Sequence, residues 1–258
     1  MKIFVCVKQV PDTETKLKIK PDASGIEVAG IKWVLNPYDE YAVEEAIKIR
    51  EVNPGSQIHV ITVGPKERAA ECLRTALAMG ADEAIVIHSA DSTDAFVTAK
   101  ALSSVIKSEG SADLVLTGKL SIDANQSSVS QMVAEFLQIP HASVVSKLQL
   151  SDRSVLADRD VEGGSKEKIK FELPALVAAN KGLNTPRYAS LPGIMKAKKK
   201  LIKEIDISTL GISESDKKVV YKNYSLPAEK PAVKMLAGDA AAQSQELVKL
   251  LRDEAKAL

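Results

Sequence analysis

Over the first 140 residues, short uninterrupted apolar runs alternate with stretches whose apolar residues recur every three or four positions. Ile3–Val7, reading IFVCV, is a continuous β-branched run of the kind buried on both faces of a sheet. A polar, proline-containing excursion follows it. In NPYDEYAVEEAIKIREVNPG the residues Ala42, Val43, Ala46 and Ile47 share one helical face, and Asn53, Pro54 and Gly55 end the pattern. QIHVITVG predicts the next strand. PKERAAECLRTALAMGA predicts a helix buried through Cys72, Leu73, Ala76 and Leu77, with Gly80 as its C-cap. AIVIH is a strand again, and a helix over about Asp94–Lys107 buries Val97, Ala101, Leu102, Val105 and Ile106. DLVLTG and NQSSVSQMVAEFLQIP give the fourth strand and fourth helix.

Strands alternating with helices predict an α/β fold: a doubly wound parallel sheet with helices on both faces. From Val144 the rhythm shortens. VVSKLQL, SVLADRDV, KIKFEL and ALVAAN, separated by polar turns, read as antiparallel additions at a sheet edge. Residues 1–200 are therefore expected to form one α/β domain. Residues 201–258 are expected to form a charged, loosely patterned C-terminal arm. It closes in a helix with Leu247, Val248, Leu250 and Leu251 on one stripe. That stripe either folds back on its own domain or embraces a partner.

Composition narrows the function. With 35 basic and 34 acidic side chains the net charge is +1, and aromatic residues make up 4%, which argues against nucleic acid. No apolar stretch reaches the roughly 20 residues that cross a bilayer, and MKIFVCVKQVPD lacks an export signal, so no membrane insertion and a cytoplasmic location are expected. Cys6 and Cys72 lie far apart among apolar neighbours and are expected to be reduced and buried. The three histidines, His59, His88 and His141, share no metal-ligand spacing and pair with no nucleophile, so neither a metal nor a hydrolytic triad is expected.

Ligands of open α/β sheets bind at the carboxyl ends of the strands, where crossovers diverge to opposite faces. Three loops leave those ends: CVKQVPDT, VGPKER and GKLSIDANQSSVSQ. The last carries amide and hydroxyl groups into a helix start, where free N–H groups hold a phosphate. The same residue types also serve as ordinary N-caps. Neither a P-loop lysine motif nor G-x-G-x-x-G is present. A second unusual stretch is LNTPRYASLPGIMKAKKK, Leu183–Lys200, which predicts a surface loop leading into a basic helical turn with Leu191 held out between Ser190 and Pro192.

Several long stretches resemble the β subunit of electron transfer flavoprotein. ADRDVEGGSKEKIKFELPALVAA, Ala157–Ala179, is similar to that family's signature, and NPYDEYAVEEA, RTALAMGAD and PRYASLPGIMKAKKK accompany it in the family order. The resemblance runs from Met1 to about Lys200. It implies an adenine nucleotide α-hydrolase-like fold and a heterodimer with an α subunit that holds most of the FAD, with a structural AMP on the β side. Matched onto this chain, the AMP contacts are Cys6, then Asn36, Pro37, Tyr38 and Asp39, then Val63. The last group is Asp123, Ala124, Asn125, Gln126, Ser127, Ser128, Val129, Ser130, Gln131, Met132, Val133 and Ala134.

The resemblance also implies that Tyr188, Ala189, Ser190, Leu191, Pro192, Gly193, Ile194, Met195 and Lys196 form a recognition loop for acyl-CoA or related dehydrogenases, with Leu191 as anchor and Lys196, Lys198, Lys199 and Lys200 steering acidic partners. Electrons would leave through electron transfer flavoprotein-quinone oxidoreductase. Arg159 and Glu162 would lie near the α subunit and its flavin. The family's bifurcating class, with a second FAD in place of AMP and NADH as donor, is the alternative. Gln9–Thr13, QVPDT, is common there, whereas DANQSSVSQ at 123–131 lacks that class's glycine and Gly-Pro end and also departs from the ordinary loop. An ATP-hydrolysing α/β enzyme and a stand-alone nucleotide-binding module are the readings outside the family.

Overall fold

The computed structural model describes residues 1–66, 68–90, 93–230 and 232–258; Glu67, Asp91, Ser92 and Pro231 fall outside the described residues. β1 (Lys2–Cys6) leads into a short antiparallel pair, β2 (Gln9–Pro11) and β3 (Trp33–Leu35). Then follow α1 (Pro37–Val52), β4 (Gln57–Gly64), α2 (Ala70–Met79), β5 (Glu83–His88), α3 (Ala95–Ser108), β6 (Leu114–Gly118) and α4 (Val129–Leu137). The second half comprises β7 (His141–Ser151), β8 (Ser154–Asp160), β9 (Lys166–Glu172), β10 (Ala175–Ala179), α5 (Leu191–Lys199), β11 (Ile202–Asp206) and α6 (Ala240–Asp253).

Among the described residues nine strands join one sheet in the order β11-β5-β4-β1-β6-β10-β7-β8-β9. The chain steps outward from β1 to β4 and β5 with α1 and α2 between, then returns through α3 to place β6 on the other side of β1. The strand order therefore reverses between β1 and β6. Alternation along each strand divides the core in two. Ile3, Val5, Leu114, Leu116, Ala175 and Val177 face α1 and α2, whereas Phe4, Cys6, Val115, Leu176 and Ala178 face α3 and α4. This is the doubly wound sheet that the periodicity predicts.

Two elements differ from the sequence reading. ALVAAN, expected among the antiparallel additions, forms β10, which lies inside the sheet and pairs parallel with both β6 and β7. Its five residues are fully buried, as an unbroken apolar run requires when helices cover both faces. The antiparallel extension is β7-β8-β9. β7 begins as a parallel partner of β10 and from Val145 onward pairs antiparallel with β8, with a register shift between Val145 and Lys147. The second difference is β11, which extends the opposite edge in parallel with β5. Ile205, Ile207, Leu210 and Ile212 pack against the α3/α4 side of the core.

α6 holds no buried residue, and Leu247 and Val248 on its apolar stripe are 48% and 44% exposed. Folding back onto the body is not what the described structure shows.

Candidate functional site

The carboxyl ends of β4, β1 and β6 meet at the point of strand reversal, and the N-terminus of α1 is fastened across it. Asp39 Oδ2 accepts from the Lys8 N–H at 2.7 Å and Oδ1 from the Gly118 N–H at 3.0 Å, so one carboxylate ties the chain just past β1 to the last residue of β6. Asp39 is 5% exposed. Burial pushes its carboxyl up to about 7, against the downward pull of Asn36 and of the N–H groups of Lys8 and Gly118. Gly118 leaves no room for anything larger: a Cβ there would lie 2.3 Å from Asp39 Oδ1 and 2.8 Å from the Tyr38 carbonyl carbon.

Asn36 does not cap α1 with its side chain. Its amide reaches instead into the loop after β6, donating to the Leu120 carbonyl at 2.9 Å and accepting from the Ile122 N–H at 3.2 Å. Lys8 Nζ pairs with Asp123 at 2.7 Å, Lys119 Nζ lies 4.9 Å from the Tyr38 ring centroid, and Ser127 Oγ donates to the Lys119 carbonyl at 2.8 Å. Asn125 and Ser127 adopt left-handed backbone, φ 52° and 50°, a conformation that costs a non-glycine residue about 1–2 kcal/mol unless its surroundings impose it. Here the Ser127 hydroxyl bond helps to impose it.

The loop delivers the chain into α4. Ser128 makes no side-chain cap bond there, as Asn36 and Ala69 make none at α1 and α2, whereas Asp94, Ser190 and Asp239 cap α3, α5 and α6. The leading N–H groups of α4 have no acceptor within the helix and carry the positive end of its dipole. Asp39 already occupies the amides of Lys8 and Gly118, and the start of α4 is one place at this edge that offers donors to an external anion. Asp123, Ala124, Asn125 and Gln126 are exposed, and Ser127, Ser128 and Val129 are half-buried. Met132 and Val63 pack against the α3/α4 side of the core. Cys6, Val133 and Ala134 are 7%, 0% and 0% exposed in that same cluster, so their side chains form an apolar floor below the loop and offer it no polar group. Ser130 is buried with its hydroxyl on Gln131 Oε1 at 2.7 Å.

Neither cysteine is a nucleophile. Both are free and buried, and burial raises both thiols, Cys72 to about 12. His59 stacks on Phe4 with ring centroids 5.0 Å apart, and His88 sits 3.0 Å from Glu204. Among the described residues no group of three His, Cys, Asp or Glu could hold a metal ion, and no helix is long and apolar enough to cross a membrane.

The segment 183–200 leaves the carboxyl end of β10 and runs along α1 to the opposite, amino edge of the parallel strands, which it reaches at α5. Arg187 fastens it to α1, with Nε and Nη2 on the Glu44 carboxylate at 2.8 and 2.9 Å and Nη1 on Glu51 at 2.9 Å. Asn184 adds bonds to the Tyr41 carbonyl and Glu45. Ser190 then caps α5 through the Gly193 N–H at 3.1 Å. α5 lies so close on α2 that a Cβ at Gly193 would come within 2.5 Å of the Ala78 carbonyl. Arg74 and Lys200 close the far end on backbone carbonyls. This scaffold holds Tyr188, Leu191 and Met195 outward, 99%, 77% and 55% exposed, with Ile194, Pro192 and Lys196 beside them and Ala189 turned inward against the core. Arg159 and Glu162 sit elsewhere, on the β8–β9 hairpin, where Arg159 pairs with Glu167 at 3.5 Å.

A family model described as the electron transfer flavoprotein domain matches residues 25–210. The chain belongs to the electron transfer flavoprotein β-subunit family. It is 44% identical to electron transfer flavoprotein subunit beta of Bacillus subtilis, with all of both chains covered. The mitochondrial subunit of Oryza sativa subsp. japonica is 40% identical over all of both chains, and the Homo sapiens subunit 36% identical over 91% of this chain and 92% of its own. Membership makes the chain an electron-carrier subunit of a flavoprotein, not an enzyme. Lys8, Gly118 and Lys119 lie in loops that the sequence reading names but are not singled out there, although a Gly-Lys step leaving an apolar strand is a usable signal for a strand end that must admit a close neighbour.

Proposed function

We propose that this chain pairs with an electron transfer flavoprotein α subunit, binds AMP at the carboxyl edge of its sheet and docks dehydrogenases of the acyl-CoA type at the amino edge. FAD, held mainly by the α subunit, supplies the redox chemistry, and the electrons pass on to electron transfer flavoprotein-quinone oxidoreductase and the respiratory chain. The observation that carries the nucleotide assignment is the uncapped start of α4 at the point of strand reversal, behind a loop fastened by Asn36, Lys8 and Ser127. A phosphate fits there because the helix offers unpaired N–H donors and because Asp39, which would repel it, is turned inward onto backbone amides.

Docking is supported by the second edge. Leu191 is an exposed apolar side chain on a rigid helix start, flanked by lysines, and so resembles a preorganised anchor with a basic rim. The unburied stripe of α6 supports an extended contact with the α subunit. Two free, buried cysteines go with a reducing, cytoplasmic compartment.

The test is to co-express the chain with its α subunit, purify the heterodimer, denature it and quantify the released nucleotides. One FAD and one AMP per heterodimer are expected. Two FAD would assign the chain to the bifurcating class, and failure to form any heterodimer would overturn the proposal.

A further inference from the structure

Beyond β11 the chain does not leave the body at once. Ile212 is buried in the core, and Lys100 Nζ pairs with Asp216 at 2.6 Å. The N–H groups of Lys218 and Val219 donate to Asp94 Oδ2 at 2.7 and 3.0 Å, while the Lys218 ammonium lies 5.0 Å from the Phe96 ring centroid. The Tyr221 hydroxyl then accepts from Gln126 Nε2, and the Tyr224 N–H donates to the Ala23 carbonyl at 3.0 Å. Residues 216–224 thus run from the start of α3, across the loop ahead of α4, to the excursion between β2 and β3. They join three loops that are distant in sequence.

Asp94 is the anchor of this crossing. It is 3% exposed, and its two oxygens do different work: Oδ1 caps α3 through the Val97 N–H at 2.8 Å, and Oδ2 takes both amides of the crossing segment. Burial raises its carboxyl, but the three N–H donors outweigh burial and hold it below the ordinary range. At the other end Gln126, in the exposed part of the loop, stands between the left-handed residues Asn125 and Ser127. A contact on Gln126 therefore acts on the most conformationally demanding turn of the loop.

We infer that residues 216–224 form a strap that holds the 123–131 loop in its nucleotide-binding shape, with Asp94 as the anchor and Tyr221 as the contact on the loop. The inference rests on the adenine-nucleotide reading of that loop. Asp94 and Tyr221 are positioning residues: they act on the ligand through Gln126 and its neighbours. Slackening the strap lets the loop open and the nucleotide leave faster.

The experiment loads the heterodimer with labelled AMP, chases it with unlabelled AMP and follows release in wild type, Tyr221→Phe, Gln126→Leu, the double variant and Asp94→Ser, with a thermal melt of each. Serine retains an oxygen that can cap α3 but is too short to hold the strap as well. Tyr221→Phe and Gln126→Leu are each expected to speed release about 2- to 10-fold, with the double variant no faster than the faster single, because both remove one contact. Asp94→Ser is expected to speed it about 10-fold or more, since two bonds to a charged group are lost. The melting temperature of Tyr221→Phe should stay at the wild-type value, which separates positioning from support of the fold. Wild-type release rates in Tyr221→Phe and Asp94→Ser, or additive effects in the double variant, would overturn the strap. A wild-type heterodimer that binds no AMP would instead overturn the nucleotide reading. If Asp94→Ser fails to fold, the Tyr221–Gln126 cycle decides alone.

Discussion

Gly118→Ala adds one methyl group at the most crowded point of the site. Its Cβ would stand 2.3 Å from Asp39 Oδ1, 2.7 Å from Tyr38 Cβ and 2.8 Å from the Tyr38 carbonyl carbon, whereas ordinary contacts are roughly 3.5–4.0 Å. One of these neighbours is backbone and another is a carboxylate locked on two N–H groups, so the overlap cannot be relieved by turning a flexible side chain. The start of α1 must withdraw by about 1 Å. Overpacking of this kind costs about 1–3 kcal/mol. Loosening hydrogen bonds to a buried charged group adds about 1.5–3 kcal/mol each. With one of the two bonds lost, a total of about 3–6 kcal/mol is a large share of the roughly 5–15 kcal/mol that holds a domain together. In thermal unfolding of the purified heterodimer it should lower the midpoint by about 10 °C or more, with loss of the bound adenine nucleotide on the same preparation. Gly25→Ala is the control, because a Cβ there meets no atom within 4 Å. If Gly118→Ala melts within about 2 °C of Gly25→Ala and keeps its nucleotide, the closure of β1 and β6 by Asp39 is not a determinant of the site.

Leu191→Ala should slow dehydrogenase-dependent flavin reduction at limiting partner about tenfold or more, as for a buried anchor residue, with heterodimer yield and flavin content unchanged; loss of flavin would show the segment to be structural. Arg187→Ala leaves the buried Glu44 without its bidentate partner and should cost about 1–2 kcal/mol once the partial exposure of the pair is allowed for, with faster amide exchange around 184–190 as the check. Asp39 sets a pH dependence with the reverse of the usual carboxylate sign. Its carboxyl is raised from 3.8 to about 7, so the folded state binds more protons, and stability is greatest below the lower value and falls as pH rises through that window. The slope is up to about 1.4 kcal/mol per pH unit. Stability of Asp39→Asn should lack this slope, and an identical slope in the variant would assign the titration to another group.

How much of the fold is legible in the residues depends on how local the cause is. The helix at 37–52 and the strand at 2–6 carry their own periodicity, and both appear close to where it puts them. ALVAA at 175–179 has the composition of an interior strand but follows three edge pieces, and only the pairing available beside β6 settles its place. IKEID at 202–206 alternates apolar and charged residues, as an edge strand does, yet it forms because β5 offers a free edge some 120 positions earlier in the chain. For the candidate site, the family resemblance points to Asn36, Asp39 and the 123–131 loop. It says nothing of Lys8 reaching Asp123, or of Tyr221 reaching Gln126.

The order of apolar and polar residues, by itself, determined the α/β class, the identity of most elements and which face of each turns inward, because those depend on burial summed along a few turns of chain. Tertiary structure decided which strand lies beside which. It also decided that Asp39 turns onto amides while the start of α4 stays uncapped, and that one carboxylate at 94 both caps a helix and holds a strap. Hydrogen-bond partners separated by 31 to 124 residues are set by how the whole sheet closes, and no local pattern of side chains encodes them.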